Sequence, residues 1–129
     1  KDKLSDTYEI AFDGICMHEF VITAAKLKKE HDVSAMDIAK MLIDNNIHPP
    51  TMYFPLIVEE ALMVEPTETE SKETLDNAVE VFKAIHKLAT EQPEKLHAAP
   101  TTTPVSRLDE VQAARKPVLR YNFGEQDDN

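Results

Sequence analysis

Three prolines fall within the eight-residue run His48-Pro49-Pro50-Thr51-Met52-Tyr53-Phe54-Pro55, and no helix can pass through it. Each proline lacks a backbone N–H, and the residue before a proline is pushed out of the α region. The chain is therefore divided there by a stiff, extended connection. Just downstream, Ala61-Leu62-Met63-Val64 forms a short apolar run that stops before Pro66. It reads as a strand leading into the acidic helix start around Glu65, Thr67 and Glu68, where carboxylates suit the helix dipole.

Upstream of the proline run, Tyr8, Ile10 and Phe12 alternate with Glu9, Ala11 and Asp13, which is the period of a strand. Asp13-Gly14 is a turn signal, and residues 15–22 read as a second strand. In such a strand His18 and Glu19 would point to opposite faces. Residues 23–30 have helix-forming composition, with lysines late, where they complement the dipole. Ser34 and Asp37 form a near capping box, and Ala35, Ile38, Ala39 and Leu42 share one helix face. Asn45-Asn46 can close that helix in the left-handed conformation. Residues 52–58 are expected as a strand interrupted by Pro55, hence an edge or a bulge. Glu59-Glu60 make the turn into residues 61–64.

Thr67, Thr69 and Ser71 are all credible N-caps for the longest helix. Leu75, Ala78, Val79, Phe82, Ile85 and Ala89 lie at helical spacing and make one apolar stripe. This helix should fade near Pro93, with one more turn over residues 94–98. Residues 100–104 read as a threonine-proline linker with no core potential. Ser106 and Asp109 again mark a short helix, ending before Pro117, and residues 118–121 are extended. Short, hairpin-linked strands with interspersed helices predict an α+β two-layer domain. Its small, mainly antiparallel sheet would be covered by helices on one face.

A chain of 129 residues has the length of one domain. Its formal net charge of -10 excludes nucleic acid and anionic membrane surfaces, both of which select basic patches. The single cysteine, Cys16, cannot form an internal disulfide, which fits a reducing compartment. No apolar run reaches the length of a membrane span. Gly14 and Gly124 are the only glycines, so a glycine-rich phosphate loop cannot be assembled from this chain. His18, His31, His48, His86 and His97 lack the spacing of metal ligands, and the last four, His48 aside, read as surface or helix-edge groups. The lysines read as solvated helix faces. Arg107, Asp109, Arg115 and Arg120 are expected in surface or interdomain ion pairs.

Several runs, in one order, carry a family likeness. They are Met17-His18-Glu19-Phe20-Val21, Val33-Ser34-Ala35-Met36-Asp37-Ile38-Ala39, the proline run, the stretch Ala61-Leu62-Met63-Val64-Glu65-Pro66, and Arg107-Leu108-Asp109-Glu110-Val111. Together they resemble the C-terminal part of glycine dehydrogenase (decarboxylating), the P-protein of the glycine cleavage system, and above all its second subunit where the enzyme is split. The likeness covers residues 16–121 and does not extend to residues 123–129.

The resemblance implies that residues 1–129 are the C-terminal small domain of a longer fold-type I pyridoxal-phosphate enzyme, with 1–14 and 122–129 peripheral. The chain begins at Lys1 and is expected to be a piece of that longer protein. The family is a cytoplasmic oxidoreductase of glycine catabolism. It decarboxylates glycine with pyridoxal phosphate as electron sink and passes the aminomethyl group to the lipoyl arm of H-protein. The other P-protein subunit is a further partner. Cofactor and Schiff-base lysine belong to the large domain, so no cofactor, catalytic residue or metal is expected here, and the fragment alone should be inactive. The residues placed nearest the substrate cleft by this likeness are His48 and Thr51, as hydrogen-bond donors, and His18, as a contact to the large domain. The alternative is a free-standing α+β binding or regulatory module without catalysis.

Overall fold

A computed structural model describes residues 1–120. In chain order the elements are β1 (Glu9–Ile10), β2 (Phe20–Thr23), α1 (Ala25–His31), α2 (Ala35–Asp44), β3 (Thr51–Met52), β4 (Ala61–Val64), α3 (Lys72–Glu91), α4 (Pro93–Ala98) and α5 (Glu110–Arg115). The strands form one antiparallel sheet in the order β1-β2-β4-β3, and the domain is α+β as expected.

Strand alternation sorts the sheet into two faces. Opposite pairs Phe20↔Val64 and Ile22↔Leu62 alternate with Val21↔Met63 along β2 and β4. Phe20, Ile22 and Leu62 join the main core cluster, where they meet Leu27 of α1, Ile38 and Leu42 of α2, Phe82 and Ile85 of α3, and Leu96 of α4. Val21 lies on the other face and outside that cluster. The helices thus cover one face of the sheet.

Helix starts follow their caps. Ser34 and Asp37 make the full capping box of α2, and the carboxylate of Glu60 accepts from Ala35 N at 2.6 Å, satisfying a further orphan donor. Asn46 takes the left-handed conformation after α2, with φ 58°. Of the three cap candidates before α3, Ser71 is the one used, accepting from Thr74 N; Thr67 and Thr69 contact each other instead. The apolar stripe of α3 points inward through Phe82, Ile85 and Ala89.

Four expectations need correction. First, residues 15–19 are not strand. The β1–β2 ladder ends where Ala11 N donates to Val21 O, so residues 12–19 have no backbone–backbone partner and leave the sheet as a wide loop through Gly14, with φ 99°. Second, the strand expected over residues 52–58 stops at Met52, where Tyr53 turns out with φ 57°. Its edge position is as expected. Third, of residues 1–14, expected to be peripheral, the stretch 4–10 is packed while 11–14 stay outside the core. Leu4 and Tyr8 are core residues, and the Tyr8 hydroxyl donates to Phe82 O at 2.9 Å. Fourth, the stretch 100–104 is no free linker. Pro100 is buried, and Asp44 accepts from the backbone N–H of Thr101 and Thr102 at 2.8–2.9 Å and from both hydroxyls. The final helix α5 is capped by Asp109 alone and buries no residue. Tyr121, Gly124 and residues 122–129 lie outside the described residues.

Candidate functional site

The uncovered face of the sheet carries the candidate residues. Val21 and Met63 form its floor, and Thr51 stands opposite Met63 in the β3–β4 register, on the same face. The loop over residues 11–19 and the bend at Pro55 rise beside this floor. They enclose a shallow concavity of about 370 Å³ lined by Phe12, Met17, His18, Val21, Pro55 and Met63.

His18 is therefore at the concavity, Thr51 is on the adjoining edge strand, and His48 is an exposed loop residue not among the lining. No hydrogen bond joins the three among the described residues. The expectation that His18 and Glu19 point apart is wrong. Outside a strand their side chains are free to turn toward each other, and the His18 imidazole contacts the Glu19 carboxylate. The carboxylate oxygen that His18 touches, Oε2, is shielded from water.

The strongest electrostatic constellation lies elsewhere and was missed by sequence reasoning. Asp37 is buried at the start of α2. One carboxylate oxygen accepts from Ser34 N at 2.8 Å and from the Ser34 hydroxyl at 2.5 Å. The other accepts from the Arg107 guanidinium at 2.8 Å. Arg107 also donates to Leu96 O at 2.9 Å and to Ala99 O, so it closes the end of α4. His97 stands 3.7 Å from the same carboxylate. Burial opposes ionisation of Asp37, but the hydrogen bonds of Ser34 and the Arg107 charge outweigh it and hold the carboxyl below its ordinary range. Arg107 was expected in a surface or interdomain pair; it is an internal clasp because its fork meets three acceptors at once. The only advance signal was Asp37 at the third helical position. With its oxygens already partnered, this group is structural.

His86 was expected at a helix edge. It is half-buried, with its ring 5.0 Å from that of Tyr8 in an edge-on arrangement. Burial, then the neighbouring charges of Lys26 and His31, push its pKa down.

No described lysine is buried. Gly14, the one described glycine, faces open space, with nothing within 4 Å of an added Cβ. Among the described residues no three His, Cys, Asp or Glu side chains converge as metal ligands. No described helix is long and apolar enough to cross a membrane.

The family model described as "Glycine dehydrogenase, C-terminal domain" matches residues 1–105. The chain belongs to this family. It is 64% identical over 121 residues to the probable glycine dehydrogenase (decarboxylating) subunit 2 of Treponema denticola, covering 94% of this chain and 25% of that protein. Proteins of the same name from Thermosipho africanus and Caldanaerobacter subterraneus are 58% and 60% identical, across 95% and 94% of this chain and 26% and 25% of theirs. The relatives are named for an enzyme, and this glycine dehydrogenase C-terminal domain spans about a quarter of their length.

Proposed function

We propose that residues 1–129 are the C-terminal small domain of a longer, pyridoxal-phosphate-dependent glycine dehydrogenase (decarboxylating). The observation that carries this reading is the 64% identity, along 94% of the chain, to a relative of that name. The longer enzyme releases carbon dioxide from glycine and hands the aminomethyl group to the lipoyl arm of H-protein, in the cytoplasm and together with a second P-protein subunit. The cofactor supplies the electron sink and is held by the rest of the enzyme. This domain helps to shape the cleft, and His48, Thr51 and His18 are its candidate contacts there. His48 offers a ring N–H and Thr51 a hydroxyl to a carboxylate or to a group that binds one. Pro49 and Pro50, which separate the two donors, keep that loop stiff, so little ordering is needed when substrate arrives.

The test is covalent trapping in the longer protein. The protein is loaded with pyridoxal phosphate, reduced with borohydride and mapped by peptide mass. One adduct is expected, on a lysine outside residues 1–129, and glycine added before reduction should suppress it. An adduct on a lysine of this chain, or none anywhere, contradicts the reading.

A further inference from the structure

Two loops stand out for what they expose. Ile15 and Met17 are 104% and 95% exposed, and Leu56 and Ile57 are 87% and 85% exposed. Phe12 and Phe54 add to the same two loops. Residues 49–58 hold no charged side chain, although 29% of the whole chain is charged. The first loop and Pro55 of the second line the concavity over Val21 and Met63, so both loops border the sheet face turned away from the helices. Single exposed apolar residues are ordinary, but a group of them whose charges are confined to Asp13 and the His18–Glu19 pair comes close to the composition of an interface centre. Elsewhere the exposed surface carries the ion pairs of Lys3, Lys28, Lys72 and Lys83 with their aspartates, and a separate run of exposed apolar residues, Val105, Leu108, Val111, Val118 and Leu119, follows along residues 105–119.

We infer that the 12–17 and 54–57 loops, with the open sheet face between them, are the surface on which this domain docks against the remainder of its own polypeptide. This rests on the reading of the chain as one domain of a longer protein. The occupant follows from length: three quarters of each relative lies beyond the matched stretch, and domains of one chain bury on the order of 600–1,500 Å² against each other. A mainly apolar face, with carboxylates only at Asp13 and Glu19, suits a permanent neighbour rather than an exchanging one. It also sets the candidate contact His18 at the boundary between the two parts.

Cys16 is a native reporter, since it lies exposed between Ile15 and Met17 and is the only cysteine in this chain. The experiment is maleimide labelling of the full-length protein, read at the Cys16 peptide by mass spectrometry. Ala84→Cys, on the exposed face of α3, serves as the reference. Cys16 should label at least about tenfold more slowly than the reference, because the thiol reacts only when accessible, and urea should abolish the difference. Equal rates would overturn the docking surface. Protection that appears only when the partner subunit is added, or only at high protein concentration, would also overturn it, by assigning the face to another chain. Glycine decarboxylation is measured on the same sample. Slow labelling in a protein without that activity upholds the surface and counts against the enzyme reading. Fast labelling in an active enzyme does the reverse.

Discussion

Arg107 and Asp37 show how one guanidinium ties the two ends of the chain's helical layer. Removing it by Arg107→Ala leaves the Asp37 carboxylate and the carbonyls of Leu96 and Ala99 short of partners. A loss of about 1–3 kcal/mol in urea melts is expected, the usual cost of stranding buried polar groups. Arg107→Lys should recover only part of it, because an ammonium cannot span three acceptors in a fork. The same pair gives a signed pH effect. The Asp37 carboxyl is held below its ordinary value of 3.8 in the folded chain. Its contribution is present above that value and lost as pH falls through the folded pKa, so Arg107→Ala should flatten the acid limb of stability against pH. His86 acts in a higher window. Its folded pKa lies below the ordinary 6.5, so the unfolded chain takes up the proton first. Stability is full above about 6.5 and declines below it. His86→Phe, which keeps the edge contact with Tyr8 but cannot titrate, should remove that decline in melts between pH 7 and 5.

At the level of elements, α3 puts Phe82, Ile85 and Ala89 into the core, and its stripe is a direct test of orientation. Phe82→Ala should cost about 3–5 kcal/mol, as for other buried aromatic truncations, whereas Lys87→Ala on the exposed face should stay within about 0.5 kcal/mol. Equal effects in denaturant melts would mean that the helix is turned the other way. The helices were the legible part of this fold because caps and period are local: Ser34, Ser71 and the Leu75-to-Ala89 stripe need no distant partner to be read. The loop over residues 11–19 was not legible. Ile15, Met17 and Phe20 carry apolar groups that suit a strand, but whether they pair depends on how far β1 runs beside them, and β1 is short. Likewise, Thr101 and Thr102 look like linker residues until Asp44 is placed beside them. The candidate site divides the same way. His18 and Thr51 were named as cleft candidates by the family likeness, and the structure sets His18 at the concavity and Thr51 on the adjoining strand, while the Arg107 clasp, seventy positions from Asp37, left no local mark. Nothing in sequence separated its charge from the exposed Arg115 and Arg120.

The whole molecule is a two-layer domain that keeps one sheet face free, in a family whose longer relatives extend well beyond it. On the proposed reading, its residues act only within the assembled enzyme. His48→Ala there should lower glycine decarboxylation by at least about tenfold, equal to about 1.4 kcal/mol of transition-state stabilisation. Melting of the domain should be unchanged, because an exposed loop histidine has little packing to lose. Normal turnover would return the proline loop to the part of a rigid connector. The measurement that bears most directly on the account is release of labelled carbon dioxide from carboxyl-labelled glycine. It should be run on residues 1–129 alone and on the longer protein with its partner subunit, pyridoxal phosphate and lipoylated H-protein. The account predicts release that depends on glycine and on the lipoyl arm from the full assembly, and none from the domain alone. An assembly that binds the cofactor yet releases nothing, or a domain that releases carbon dioxide by itself, would contradict it.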